Sequence, residues 1–192
     1  MTQQRNFWMR WRVRTGYPVA VIFLLLAAPT PRSILIGGAV ALLGILIRGA
    51  SSGYLRKYEE LATTGPYART RNPLYFGSSL LAVGFAIAGN SWIAGLLVVA
   101  YFAIFYTAVM RNEESDLRTR FGAVFNDYAA RVPLFFPRLT VPRTESSTLP
   151  PDAKTFSWAQ YRRNREYQAL LGTIAGLGVM CFRMWVHSRL GY

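Results

Sequence analysis

A run of 39 residues, 72–110, contains no Asp, Glu, Lys or Arg. A membrane-spanning helix needs only about 20 apolar residues, so this run is long enough for two spans. The tripeptide Gly-Asn-Ser at 89–91 falls near its middle and favours a turn between two antiparallel helices. The sequence therefore predicts an integral membrane protein with spans at about 73–88 and 92–110.

Three further apolar segments complete the predicted bundle. Residues 15–31 and 33–47 are uncharged, and the Pro-Thr-Pro-Arg sequence at 29–32 cannot continue a helix between them. A fifth, shorter apolar run covers 167–182. We therefore expect an all-α, polytopic transmembrane helix bundle of about five spans. Its parts are a single membrane-embedded domain over 1–192, with a core at about 30–138, a linker at about 139–160 and a last helix at about 161–187.

The distribution of charge predicts the orientation in the membrane. The chain has 22 Lys and Arg, nine Asp and Glu and a formal net charge of +13. Nineteen of the cations and all of the acids fall in three segments, 1–16, 48–72 and 111–166. Because Lys and Arg accumulate on the cytoplasmic side, we expect these segments and the amino terminus to be cytoplasmic. The basic charge thus indicates a membrane surface rather than nucleic acid as a partner.

Few residue types suited to metal or nucleophilic chemistry are present. The chain has one cysteine, Cys181, and one histidine, His187. An internal disulfide, a thiolate cluster and a Ser-His-Asp triad therefore lack the residues that they need. We expect no metal site, and catalysis without imidazole.

The first informative cytoplasmic loop ends where the third span begins. Pro73 favours the first position of a helix, and Asn72 is a preferred N-cap. The positive end of the helix dipole, beside Arg71, is suited to a carboxylate or phosphate. A well-capped helix with no binding role is the alternative interpretation.

The second informative loop follows the fourth span and contains adjacent carboxylates, Glu113 and Glu114. We expect them at the carboxyl end of a helix, where the dipole disfavours anions. One is expected to face the bundle while the other meets Arg118 or a loop cation. A solvated acidic cluster is the alternative. Beyond this loop, the short apolar and aromatic segment 131–137 predicts an interfacial stretch, and the basic segment 162–165 predicts contact with anionic headgroups.

Together these motifs resemble the isoprenylcysteine carboxyl methyltransferase and phospholipid methyltransferase superfamily. The resemblance covers roughly residues 30–138. The motifs that carry it are Gly65-Pro66-Tyr67, then Arg71-Asn72-Pro73-Leu74-Tyr75-Phe76-Gly77 opening a span, Glu113-Glu114 after the next span, and Phe121-Gly122 with Tyr128 and Val132-Pro133 beyond.

The resemblance implies a membrane enzyme that binds S-adenosylmethionine between the two cytoplasmic loops. The implied cofactor-binding residues are Thr64, Gly65, Pro66, Tyr67, Arg71, Asn72, Pro73, Tyr75, Glu113 and Glu114, and the implied catalytic residues are Glu113, Glu114 and Arg71. Carboxyl methyltransferases of the superfamily usually have His where this chain has Asn72, which makes the chain more similar to the phosphatidylethanolamine branch. The methyl acceptor stays open among a lipid amine, a prenyl-type carboxylate, a quinone-like phenol and a small hydrophobic thiol.

Two other functions compete with methyl transfer. Membrane sterol-type reductases look similar around the Pro-x-Tyr-x-Gly start of a span but bind NADPH, and Arg118 and Arg120 would suit its 2′-phosphate. A basic bundle that binds anionic lipid or partner proteins, without catalysis, also explains the charge asymmetry. The oligomeric state, and which glutamate contacts the cofactor, stay open.

Overall fold

The structure, a computed structural model, describes residues 2–56, 59–140 and 155–190. Six α-helices account for most of these residues, and none of the described residues forms a strand. Most of the predicted linker, 141–154, lies outside the described residues. The helices are α1 (Thr2–Leu26), α2 (Pro31–Tyr54), α3 (Pro73–Gly89), α4 (Trp92–Arg131), α5 (Trp158–Arg163) and α6 (Tyr167–Leu190).

The predicted all-α transmembrane bundle is confirmed. Three helical segments are long and apolar enough to cross a bilayer: Pro31–Tyr54, Trp92–Arg131 and Tyr167–Arg189. Two shorter apolar helical segments, Arg14–Leu26 and Pro73–Gly89, occupy the other two predicted span positions. The protein is thus a multi-pass membrane protein by helix length and hydropathy.

Small residues bring α2 and α3 into the most extensive helix contact of the bundle. A Cβ built on Gly44 would lie 2.6 Å from the carbonyl oxygen of Gly77, and one built on Gly84 would lie 2.6 Å from the nitrogen of Ala41. Backbones this close exclude larger side chains, as is common between membrane helices. The pair is antiparallel, so the end of α2 lies beside the start of α3.

The end of the bundle around the 89–91 turn, which we call the turn end, is held by backbone acceptors. The hydroxyl of Ser33 donates to the carbonyl of Ala88 at 3.0 Å, and the amide of Ala28 donates to the carbonyl of Gly89 at 2.8 Å. Arg183 of α6 donates from Nε to the carbonyl of Ala27 at 2.8 Å and from Nη2 to that of Leu25 at 2.9 Å. Arg183 therefore satisfies carbonyls that the end of α1 leaves without helical partners.

The opposite end, which we call the loop end, departs from the prediction in α4. The helix does not stop near residue 110 but continues to Arg131, with a kink at Gly122 (φ 52°, ψ −124°). Glu113 and Glu114 therefore lie within a helix, and the expectation that they occupy its carboxyl end is wrong. The uncharged run marks where α4 leaves the apolar layer, whereas the backbone hydrogen bonds continue beyond it.

The carboxyl-terminal segment also differs in detail from the single predicted helix at about 161–187. It forms α5 and α6, separated by a turn in which Arg165 has φ 53°. Within α6, a Cβ on Gly176 would lie 2.8 Å from the ring of Phe85, so this glycine permits a close helix contact. No such contact is found among the described residues at Gly172 or Gly178.

Candidate functional site

The first loop is fixed against the far part of α4. Gly65 opens the short 3-10 helix Gly65–Ala68 with φ 59°, and a Cβ on it would lie 2.7 Å from the ring of Tyr54. Tyr67 is only 7% exposed, and its carbonyl accepts a hydrogen bond from the hydroxyl of Tyr128 at 2.7 Å. A buried cluster joins both parts of the chain: Leu61, Phe125, Tyr128 and Val132.

The segment after α4 pairs with the same loop through its backbone. The amide of Arg71 donates to the carbonyl of Pro133, and the amide of Arg138 donates to that of Arg69, each at 2.9 Å. The buried hydroxyl of Thr70 donates to the carbonyl of Phe135 at 2.9 Å. The stretch predicted only as an interfacial segment is therefore part of the site's framework, which periodicity in the sequence does not reveal.

Asn72 holds this pairing rather than capping α3 with its side chain. Helix α3 begins at Pro73 as predicted, but the side chain of Asn72 makes no capping hydrogen bond. Its amide nitrogen Nδ2 instead donates to the carbonyl of Leu134 at 3.0 Å. Asn72 therefore occupies the N-cap position as predicted, but its side chain bonds to a distant segment and does not accept from the first amides of α3.

The two glutamates meet residues from the first loop and from α3. Glu113 accepts a hydrogen bond from the hydroxyl of Tyr75 at 2.7 Å. Glu114 forms an ion pair with Nη1 of Arg71, and these two side chains are only 19% and 15% exposed. Glu114 thus meets a loop cation, as expected, while the guanidinium of Arg118 lies over the ring of Phe125 at 5.9 Å.

Arg71 retains an unused donor. Its Nε is the one buried side-chain nitrogen or oxygen, in the part of the chain that the structure describes, that has no hydrogen-bond partner. Burial lowers the pKa of Arg71, and Arg118 acts in the same direction against the opposing effect of Tyr128. Since a guanidinium stays charged in proteins, Arg71 has one buried N–H that lacks an acceptor.

Aromatic rings extend from the acids toward the apolar half of α4. The ring of Tyr75 lies edge-on to Tyr106 at 5.5 Å, and Tyr106 stacks on Phe102 at 3.9 Å. Tyr106 and Phe102 are half-buried. Aromatic faces of this kind attract cations, and their edges pack against apolar chains.

Tyr67 contributes a neutral phenol beside the acids. Burial is the main cause that raises its pKa, and Tyr128, Glu113 and Glu166 act in the same direction, while Arg48 opposes them. A phenol whose pKa is raised remains a hydrogen-bond donor at neutral pH. Thr64 and Pro66 lie on the turn that positions Tyr67, and Pro73 is buried at the start of α3.

The sequence did not predict a second ion pair that supports α3. Arg48 of α2 donates from Nε to Oε1 of Glu166 at 2.5 Å and from Nη2 to Oε2 at 3.1 Å. Its Nη1 contacts the hydroxyl of Ser78 and the carbonyl of Leu74, both in the first turns of α3. The sequence did contain a signal for this pair. Arg48 directly follows the uncharged run 33–47, and Glu166 directly precedes the apolar run 167–182. Ionisable residues at such membrane boundaries tend to be paired.

Comparisons with known proteins agree with the superfamily resemblance. Residues 33–124 match the family model of phospholipid methyltransferases. The chain is 43% identical over 94 residues to a nickel-cobalt-cadmium resistance protein of Alcaligenes xylosoxydans xylosoxydans, a segment that covers 49% of this chain and 44% of that protein. It is 39% identical over 92 residues to a cobalt-zinc-cadmium resistance protein of Cupriavidus metallidurans, covering 48% of this chain and 42% of the relative.

The chain therefore spans less than half the length of these curated relatives. No solved structure matches it. The family match includes the whole of α3, the first loop and the part of α4 that carries both glutamates. Residues 33–124, which contain every predicted site residue, are thus similar to the phospholipid methyltransferase family.

Proposed function

We propose that this protein is an integral-membrane methyltransferase that uses S-adenosylmethionine to methylate a lipophilic acceptor at the cytoplasmic membrane surface. The observation that carries this proposal is the convergence of Arg71, Tyr75, Glu113 and Glu114 from three elements. All four lie within the segment that matches the family. The cation asymmetry of the sequence supports a cytoplasmic loop end.

The residues present fit the proposed cofactor. Arg71 offers its buried Nε to the carboxylate, a charge-assisted hydrogen bond that the unpartnered atom otherwise lacks. Glu113 and Glu114 are acceptors suited to ribose hydroxyls, and the rings of Tyr75 and Tyr106 suit a sulfonium cation. When bound, S-adenosylmethionine supplies a methyl group that is already activated for transfer.

The chain then mainly provides orientation. The paired loops fix Arg71, and the bond to Tyr75 fixes the carboxylate of Glu113. Holding the reacting groups in this orientation lowers a large part of the free-energy barrier to transfer. An amine acceptor must also lose a proton, and Glu113 is placed to take it, directly or through one water. A carboxylate acceptor needs no such base.

The charges around the site favour a lipid amine over a prenyl-type carboxylate. Both arginines near the start of α3, Arg48 and Arg71, are already paired with Glu166 and Glu114. Glu113 is instead held by a phenol, that of Tyr75. Its negative charge therefore attracts a cationic headgroup and repels a carboxylate. The adjacent Tyr106 and Phe102 rings suit the apolar part of such a lipid.

Calorimetric titration of the detergent-purified chain with S-adenosylhomocysteine tests the cofactor assignment, with NADPH in parallel. We expect saturable binding of S-adenosylhomocysteine that Arg71→Ala and Glu114→Ala strongly weaken. Arg131→Ala is the matched control, because its guanidinium bonds to the carbonyl of Asp127 within its own helix. Binding of NADPH alone would move the chain to the reductases. Binding of neither ligand to the folded protein would favour a non-enzymatic bundle.

A transfer assay tests the acceptor. Labelled S-adenosylmethionine is incubated with the protein in vesicles that contain either an amine phospholipid or a prenylated carboxylate. We expect label in the amine lipid, and its loss in Glu113→Gln and in the Glu113→Gln/Glu114→Gln double variant. Full turnover by the double variant would refute the role of the glutamates, and label only in the carboxylate would overturn the choice of acceptor.

The two relatives are named for metal resistance. We propose that this chain also contributes to metal resistance, by methylating membrane lipids. Quaternary ammonium groups have no lone pair, so methylation removes amine ligands for transition metals from the membrane surface. No group of three or more His, Cys, Asp or Glu side chains suited to a metal ion is found in the described part of the chain. We expect cobalt tolerance from the wild-type chain and none from Arg71→Ala at equal expression; equal tolerance would refute this link.

A further inference from the structure

Helix α5 presents a basic and aromatic surface that the methyltransferase site does not use. We call Trp158, Arg162, Arg163 and Arg165 the basic ridge. Trp158 is 66% exposed, and the side chain of Arg163 is 65% exposed. We propose that the basic ridge binds anionic phospholipid headgroups of the cytoplasmic leaflet.

The basic ridge is held in place by the end of α2. The amide of Ser157 donates to the carbonyl of Gly53 at 3.0 Å. The side chain of Asn164 donates to the carbonyls of Ser52 and Leu55 at 2.9 and 2.8 Å. The ring of Phe156 packs so closely on Gly53 that a Cβ there would clash with it. A surface fixed at both ends of α5 loses little freedom when a ligand binds.

The charge of the basic ridge is mostly unneutralised. Arg163 forms an ion pair with Glu59 at 2.8 Å, and this pair is half exposed. Within the described ranges, no carboxylate pairs with Arg162 or Arg165. The neighbouring acid, Glu166, is buried and bonded to Arg48. The basic ridge therefore offers two guanidinium groups to an external anion.

The position of Trp158 identifies the anion as part of a membrane. Its ring packs edge-on against Phe156 at 4.9 Å and against Tyr161 at 5.7 Å, and one side remains exposed. Tryptophan is enriched where spans leave the bilayer, and α5 lies beside the last residues of α2 and directly before α6. Arginines next to an interfacial tryptophan match the negative surface potential of the cytoplasmic leaflet.

Lipid retention measured by native mass spectrometry tests this proposal on the full chain. The protein is purified with phosphatidylglycerol or phosphatidylcholine in a neutral detergent, and the bound lipids are counted. We expect the wild type to prefer phosphatidylglycerol, and the Arg162→Gln/Arg163→Gln/Arg165→Gln variant to lose this preference at least about fivefold. The matched control, Arg120→Gln/Arg131→Gln/Arg138→Gln, removes the same charge elsewhere and should keep it.

A second variant separates charge from folding. Arg162→Lys/Arg163→Lys/Arg165→Lys keeps the charge and should retain the preference for phosphatidylglycerol, whereas Trp158→Ala should weaken retention of both lipids. An unchanged preference in the Gln variant would overturn the proposal, as would an equal loss in the matched control. Binding of an acidic protein rather than phosphatidylglycerol would also overturn it. None of these outcomes depends on methyl transfer.

Discussion

Two Arg–Glu pairs lie near the start of α3, and they differ in how completely they are bonded. Arg48 uses Nε and Nη2 on Glu166 and Nη1 on Ser78 and Leu74. Arg71 uses Nη1 on Glu114 but leaves Nε buried without a partner. The protein satisfies every described donor of the first pair, whereas the second pair keeps one buried donor without a partner. We infer that Arg48 and Glu166 support the fold, and that Arg71 and Glu114 bind.

The largest expected effect is on the first pair. Glu166→Ala leaves the mostly buried guanidinium of Arg48 without its carboxylate, and breaking a buried pair costs about 3 to 5 kcal/mol. We expect a large loss of thermal stability in detergent, measured by the unfolding midpoint. The double variant Arg48→Met/Glu166→Met should recover most of it, because it leaves no uncompensated charge. Failure of the double variant to recover would mean that the pair has a role beyond mutual neutralisation.

The second pair should respond in binding rather than in stability. Arg71→Ala removes charge-assisted hydrogen bonds that are each worth about 1.5 to 3 kcal/mol. We expect affinity for S-adenosylhomocysteine to fall about 100-fold in calorimetry, with a smaller change in unfolding midpoint than Glu166→Ala causes. An Arg71→Ala variant with a much lower unfolding midpoint and normal affinity would contradict the assignment of this pair to binding.

Asn72→Ala sharpens the comparison by loosening the loop that carries Arg71. The carbonyl of Leu134 loses the amide donor of Asn72 and keeps only the longer contact from the hydroxyl of Thr70 at 3.3 Å. A lost hydrogen bond costs about 1 kcal/mol. We expect roughly fivefold weaker binding of S-adenosylhomocysteine, with both ion pairs intact. Asn72→Asp, which cannot donate to this carbonyl, should behave like the alanine variant, and normal binding by both would show that the contact does not position Arg71.

The smallest expected effect is a pH dependence from Tyr67, whose pKa responds to Glu166 and Arg48 of the first pair. Its pKa is raised in the folded protein, chiefly by burial, whereas an unfolded tyrosine titrates at about 10. The unfolded state therefore loses its proton first as pH rises, so this contribution to stability is complete below about pH 10 and declines above it. Unfolding midpoints at about pH 9 and about pH 11 should differ less in Tyr67→Phe than in the wild type. An equal difference would exclude this group as the cause.

The sequence predicts the parts of the molecule that depend on local chemistry. Uncharged runs identified the spans, and Pro73 identified where α3 begins, because both follow from rules that act over a few residues. The meeting of Glu114 with a loop cation was also expected from the 100° spacing of helical neighbours. The assignment of these residues to a cofactor pocket remains a prediction.

Two kinds of feature could not be predicted from the sequence. One is contact between residues far apart in the chain, and the other is the end of a helix beyond the membrane, which charged residues do not mark. The pairing of the loop with Pro133 and the bond from Asn72 to Leu134 join residues about 60 positions apart. The pair of Arg48 and Glu166 joins residues 118 positions apart. In α4, charged residues mark the edge of the bilayer but do not end a helix, so its continuation to Arg131 was missed.

The kink at Gly122 divides the supports of the proposed pocket between two helical segments of α4. Glu113 and Glu114 precede it, whereas Tyr128, which holds the carbonyl of Tyr67, follows it. The orientation of the acids relative to Tyr128 thus depends on the backbone torsions of Gly122. Because a Cβ at Gly122 would meet nothing within 4 Å in the described structure, the limit on substitution there is torsional and not steric. An alanine would fit the space but would favour a straight helix. The orientation of the acids relative to Tyr128 would then change.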